Sequence, residues 1–499
     1  MTEESGGETG GLPGPRGAPG TAGRALSEVA GRIVSWARSG EEVEAYVARG
    51  RDTSVRVFGG EVESLSSAES AGVGVRVVLG ARQGFAYAGS LDEDILAETL
   101  AEARDNAAFA TPDEHVGLAH PDGVEVATLD LWRPGLESLA AEEKVALALD
   151  LEARVRRSDP RIRQVEQANW GDVASEVAVA TTTGICTSGR RTSCYVSTYA
   201  IAGEGDETQT GGGYSVGREP GDVDLAKAAA DAVRRSTELL GARQARSGRL
   251  TVVLDRRVTT TLLAILAGTL SGEAVLKGRS PFADRLGDTV GAAGLTLVDD
   301  PTDVRAYGAA VHDAEGLACR RNVLISEGVL ASFLYDSYAG RRAGTASTAS
   351  AVRGGFKTTP GVGARALSLV SAEAEQCRPG GGPMDTGRPG GGPMDTGRPG
   401  GGPMDESQIV AQVGSGLLVR SITGVHSGVN PISGDFSVGA EGLMIRGGAL
   451  AEPVREVTIA STIQRMLQAV VAIGDDVEWL PGSAAGVTLA IADVSMSGS

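Results

Sequence analysis

Two charged residues on one short stretch carry the clearest chemical signal in this 499-residue chain. In residues 255–280, DRRVTTTLLAILAGTLSGEAVLKGRS, Glu273 precedes Lys277 by four positions. At that spacing an acid and an amine share a helix face, and the Glu-before-Lys order is worth about 0.2–0.5 kcal/mol. The residues allow three readings: a helix-face ion pair, a metal-free acid/base role for Glu273, or projection of Glu273 into a cavity shared with a partner. Their types favour the ion pair. A second charged set, Asp313, Glu315, Arg320 and Arg321 in DAEGLACRR, could bind a substrate by gripping a peptide terminus, or could be a solvated turn closed by surface ion pairs.

Other chemistry is sparse. The four histidines, His115, His120, His312 and His426, have no metal-binding spacing, although His312 and His426 could approach each other in a fold. Cys186, Cys194, Cys319 and Cys377 form no CxxC pair, and four cysteines in so long a chain do not make a disulfide scaffold. There is no GxSxG elbow, no phosphate loop and no dinucleotide fingerprint. With 46 basic against 64 acidic residues, a net charge of −18 and 4% aromatics, nucleic acid and anionic membranes are poor partners. No run of 18 apolar residues exists, and the acidic N-terminus lacks a signal-peptide core, so the expected location is cytoplasmic.

The elements that must position these charges follow from periodicity. Asp255 is a good N-cap, and Val258, Leu262, Ile265, Leu266 and Thr269 line one helical face. Glu273, eleven residues beyond Leu262, falls near the same angle, so the helix should aim an acid at its packed side. That is costly unless the acid is paired, metal-bound or wet.

Residues 1–23 are Gly- and Pro-rich and read as a disordered tail. Residues 24–245 read as an N-terminal α+β domain: helices near Ala25–Gly40 (with Leu26, Val29, Ile33 and Trp36 on one face), Leu91–Ala110 (capped by Ser90), Leu139–Arg157 and Asp224–Leu240, laid on a curved antiparallel sheet. Leu91, Ile95, Leu100 and Ala103 are the expected inner face of the second helix. Residues 246–499 read as a C-terminal β-rich, barrel-like and mostly antiparallel domain around the central helix, with a hairpin turn at Glu327-Gly328 and a helix from Ser461 to about Ala472. Three copies of RPGGGPMDTG, over 378–405, cannot build a core and read as a flexible surface insertion; their Asp385, Asp395 and Asp405 are too sparse for a Ca²⁺ cage.

GEAVLKGRSPFADRLG resembles the helix region of the TldD/TldE (PmbA) family of peptidases. Residues 313–344 resemble the TldE-type pattern strongly, and so does GVNPISGDFSVGAEG (428–442) with the turn at Gly447-Gly448 and EPVREVTIA. In TldD-type members the helix reads HExxxH, two histidines holding zinc and the glutamate serving the attacking water. The matching positions here are Gly272, Glu273 and Lys277, so both histidines are missing. Residues 474–499 also lack the cysteine that TldD-type subunits use as a third ligand. The resemblance therefore implies a TldE-type subunit without catalytic residues or metal of its own. Its expected partner is a TldD-like metallopeptidase subunit that supplies zinc in a heterodimer. The expected substrates are small or unfolded peptides, including natural-product precursors under maturation. The alternatives are a stand-alone or tailoring enzyme that acts on a peptide without zinc, and a peptide-binding escort protein.

Overall fold

The computed structural model describes residues 25–370 and 404–498. The expected tail at 1–23, Cys377 and all but the last two residues of the 378–405 insertion lie outside them. Asp405 belongs to the folded part, as the N-cap of a helix, Glu406–Val413. Its carboxylate accepts from the Gln408 N–H at 3.0 Å, and the Gln408 side chain accepts from the Asp405 N–H at 2.8 Å.

The chain is α+β, as expected. Six long strands, β1 (Glu42–Phe58), β2 (Glu61–Leu79), β3 (Arg82–Ala88), β4 (Ile162–Thr181), β5 (Cys186–Glu204) and β6 (Glu207–Gly217), form one antiparallel sheet in the order β3-β2-β1-β4-β5-β6. Two helices, α1 (Leu26–Ser35) and α2 (Glu93–Phe109), cover one half of a face, where Leu26, Val29 and Ile33 meet Val43, Ala45 and Val47. The helices Ala141–Ser158 and Leu225–Thr237 cover the other half around Trp170. Close approach is permitted by glycine: a Cβ at Gly213 would sit 1.7 Å from the Ala228 carbonyl oxygen, and one at Gly84 2.0 Å from that of Ala103. Two local expectations shift. Asp92, not Ser90, stands at the N-cap of α2, and Leu96 is buried where Ile95 is only partly so.

The C-terminal half begins with β7 (Gly248–Leu254), which runs parallel to Ser415–Thr423. From there Asp435–Arg446, Ala449–Thr462 and Leu489–Ser497 pair antiparallel in turn, and Leu489–Ser497 returns to β7. These strands close a ring. A smaller sheet centred on Thr296–Asp299 lies beside it, and its hairpin turns at Glu327 and Gly328, both with positive φ. The expected helix from Ser461 to Ala472 is shorter, Ile463–Gln468, because Val470–Ile473 leaves it to pair with Leu489–Ile491.

The central helix, Arg256–Thr269, packs Val258, Leu262, Leu263 and Leu266 into the main core. Its cap also ties the two halves together. The fully buried Asp255 accepts from the Arg257 N–H at 2.9 Å, from Arg235 of the sheet-covering helix at 2.6 and 2.8 Å, and from Arg420 of the ring at 3.0 Å. Burial alone would raise its pKa, but Arg235 and Arg420 hold it down at about 2. The stability this carboxylate supplies is therefore present above its ordinary value of 3.8 and lost as pH falls toward 2. Asp255→Ala removes the carboxylate paired with the buried Arg235 guanidinium, while Arg420 keeps Glu406 and Glu238, and is expected to cost about 3–5 kcal/mol, read as a fall in the denaturation midpoint at pH 7.

Candidate functional site

The central helix does not run on to Glu273. It stops at Leu270, Ser271 is extended, and a separate short helix covers Gly272–Leu276. The reason is tertiary: the Gly272 N–H donates to the Leu334 carbonyl at 2.7 Å, and Ser271 pairs with Leu334 as a parallel bridge. The break turns Glu273 away from the core, contrary to the angle extrapolated from Leu262. Its side chain is 48% exposed and is bonded to the Lys277 ammonium, itself 43% exposed. The ion pair suggested by spacing is thus present, at the surface.

Gly272 is buried, and a Cβ there would fall 2.3 Å from the Tyr335 ring and 2.8 Å from the Leu334 carbonyl oxygen. Tyr335 thus fills the volume that a larger residue at 272 would need. Lys277 is occupied by Glu273, and among the described residues no three His, Cys, Asp or Glu gather in metal-binding geometry. The residues present therefore do not fit the zinc that the resemblance associates with this helix. Cys194 and Cys319 are buried with thiols pushed up to about 12, Cys186 is exposed, and His115, His120 and His426 lie on loops or a short surface helix.

The second charged set is divided by the fold. Arg320 pairs with Asp122 near the surface, and Arg321 lies partly buried beside it in the chain. Asp313 and Glu315 point inward instead and are almost fully buried, so neither is the solvated turn that composition allowed. Asp313 accepts from the N–H groups of Glu315, Leu317 and Ala351, at 2.9, 3.0 and 3.2 Å. Burial and the neighbouring Glu315 charge push its carboxyl well above the usual range. Glu315 accepts from the Ser337 N–H at 2.9 Å and lies 3.4 Å from Arg76.

Glu315 belongs to a buried network that sequence reasoning missed. Glu44 of β1 and Arg76 of β2 are opposite each other in register, with a 2.5 Å hydrogen bond between them. Arg353, from the C-terminal half, donates to the other Glu44 oxygen and stacks 4.6 Å from the Tyr46 ring centroid. Glu44 is 0%, Arg353 1% and Arg76 4% exposed. The only hint in the sequence is the alternate pair Glu42 and Glu44 in EVEAYVA, which reads equally well as part of a solvated strand face. Asp336, the N-cap of Ser337–Ala343, lies next to this network; burial, then Glu315, raises its pKa to about 6.

Beside the network, the uncovered face of the sheet and the C-terminal half enclose a cleft of about 940 Å³. Its walls include Tyr46, Trp132, Arg190, His312, Phe356 and Arg365. Arg190 stacks 5.0 Å from the Trp132 centroid, and burial lowers the pKa of His312, which favours its neutral form. In the sequence, Arg190 and Arg191 carry no signal beyond membership of a strand.

A helix-covered antiparallel sheet joined to a closed strand ring around a central helix defines the α+β architecture of this chain. Residues 247–498 match the family described as the PmbA/TldA metallopeptidase C-terminal domain, residues 134–240 its central domain and residues 43–107 its domain 1. The chain belongs to the PmbA/TldD metallopeptidase family. It is 25% identical over 449 residues to the metalloprotease PmbA of Escherichia coli, covering 89% of this chain and 90% of that one. It is also 29% identical over 300 residues to a TldD homologue of Haemophilus influenzae, covering 58% and 62%. Among solved structures, TldE from Thermococcus kodakarensis superposes with a TM-score of 0.79 at 20% identity over 95% of this chain and 99% of that one. A Thermotoga maritima protein described as a candidate modulator of DNA gyrase gives 0.82 at 20% identity, over 95% and 100%.

Two outcomes follow from this geometry. Replacing Gly272 and Lys277 together by histidine is expected to leave the purified chain without stoichiometric zinc by metal analysis, because Tyr335 occupies the required space; one zinc per chain would contradict this. The native state binds a proton at Asp336 more tightly than the unfolded chain, so that contribution is full below about pH 4 and is lost as pH rises through about 6. Asp336→Asn, which keeps a good N-cap, should flatten the thermal-midpoint profile between pH 4 and 7.

Proposed function

We propose that this chain is a TldE/PmbA-type subunit without catalytic residues of its own, working in a heterodimer with a TldD-like subunit that holds zinc and the general base. Its two domains are residues 24–245 and 246–499, its location cytoplasmic, and its substrates small or unfolded peptides, including natural-product precursors under maturation. The observation that carries this reading is at Gly272: the position matching a zinc histidine has neither a side chain nor room for one. The neighbouring Glu273, matching the glutamate that serves the attacking water, is tied to Lys277 in solvent. A general base must reach the proton it removes, and an exposed acid in an ion pair is poorly placed to do so. In such a complex this chain contributes a wall that restricts entry to extended peptides.

The test is co-expression with an HExxxH-bearing TldD-like protein, followed by gel filtration, metal analysis and a peptide digest. The expected result is one complex containing both chains, zinc assigned to the partner, and cleavage by neither this chain alone nor its mixture with a partner lacking HExxxH. Glu273→Gln should change cleavage by the complex by less than about twofold; a loss on the order of 10²-fold, the scale of general acid–base effects, would overturn the assignment.

A further inference from the structure

The cleft between the sheet and the C-terminal half contains positive charge that the chain itself does not balance. Seven Lys and Arg side chains line it against three Asp, in a protein of net charge −18. Several of these cations are committed: Arg49 to Glu176, Arg353 to Glu44, and Arg190 to the Trp132 ring. Arg191 is not. It lies on β5 opposite Ser175 of β4, is partly buried, and makes no hydrogen bond or ion pair with any described residue. None of the lining acids forms an ion pair with it among the described residues: Asp130 pairs with Arg133, and Asp313 is taken by three backbone N–H groups.

The charge that acts most strongly on Arg191 is another guanidinium, that of Arg365, which lines the same cleft. Arg365 donates one bond, to the Ala351 carbonyl at 3.2 Å, while its buried Nε has no partner. Asp299, in the same neighbourhood, uses one carboxylate oxygen on the Arg365 and Ala366 N–H groups rather than on the guanidinium, and burial raises its pKa to about 6. Desolvation, then repulsion by Arg365, destabilises the charged form of Arg191. Two guanidiniums lining one cleft, with burial and like charge opposing them, are a poor arrangement for an empty site and a good one for an anion, since a planar fork binds carboxylate bidentately. The nearby Tyr46 and Phe356 provide apolar surface, and a cleft of about 940 Å³ is at the upper end of ligand-sized pockets.

We propose that this cleft is a carboxylate-binding site, in which Arg191 and Arg365 take a carboxylate of an extended peptide while Tyr46 and Phe356 cover its apolar side chains. The peptide as occupant rests on the function proposed above; the anion site rests on the cleft alone. The carboxylate comes either from a free C-terminus or from an acidic side chain, and the test separates the two sources.

Three labelled hexapeptides of Gly, Ala and Phe are titrated against the isolated chain by fluorescence anisotropy: one with a free C-terminus, one amidated, and one amidated with a single Asp. The expected result is that at least one carboxylate-bearing peptide binds about tenfold or more tightly than the neutral amide, as a charge-assisted fork predicts. That preference should shrink as salt rises. Arg191→Gln should abolish the preference, and Arg191→Lys should restore only part of it, with thermal midpoints confirming that both variants fold. Equal binding of all three peptides, no binding of any, or a preference unchanged in Arg191→Gln would overturn the proposal. Displacement by inorganic phosphate at far lower concentration than by acetate would overturn the choice of carboxylate. Because the measurement needs no partner, its failure is distinct from failure of the heterodimer, which is read by gel filtration and cleavage.

Discussion

The arrangement of the two halves depends on a carboxylate that never meets water. Glu44 is held between Arg76, its cross-strand neighbour, and Arg353, which reaches it from the other half of the molecule. Glu315 adds a second acid to Arg76 from the same side. Buried charges tolerate little displacement, because losing one partner exposes the other to an uncompensated desolvation cost of several kcal/mol, of the order 3–5. Apolar contact by itself would let the sheet and the C-terminal half slide; this network defines one position. Asp255 does the same at a second point, joining Arg235 to Arg420. Arg353, which completes the first of these clamps, also lines the cleft.

The region matching the zinc helix of catalytic relatives is organised as packing rather than as a ligand shell. Tyr335 occupies the space above Gly272, its ring meets Phe333 edge-on at 6.4 Å, and its N–H donates to Thr348 Oγ1 at 2.7 Å. The helix break at Leu270–Ser271 is part of the same arrangement, since the backbone of Leu334 takes the Gly272 N–H. A missing histidine could in principle be replaced by mutation. Missing volume cannot be supplied that way without removing an aromatic ring from a packed site.

Much of the fold was legible because burial on one face imposes a period. The stripe Leu26, Val29, Ile33 found its helix, alternation found the long strands, and Glu327-Gly328 found a hairpin with both residues at positive φ. The same logic failed where an element changes role within a few residues. Extrapolating the stripe from Leu262 placed Glu273 inside, yet the chain breaks first; the apolar run after Gln468 reads as more helix, yet its edge is claimed by Leu489–Ile491. Both errors arise from backbone partners distant in sequence, which periodicity does not encode.

The sequence alone determined the fold class, the family and the absence of histidine at the two motif positions, because residue types and periods are local properties of the chain. Tertiary structure decided where the charges lie. It buried Asp313 and Glu315, which composition left open as a surface turn, and it left Glu273 in solvent. It also gathered Arg191, Arg353 and Arg365 around Tyr46, although these residues lie far apart in the chain. Whether a charge is solvated, paired or left waiting for a ligand depends on what the fold brings within a few ångströms of it, and that is a property of the whole molecule.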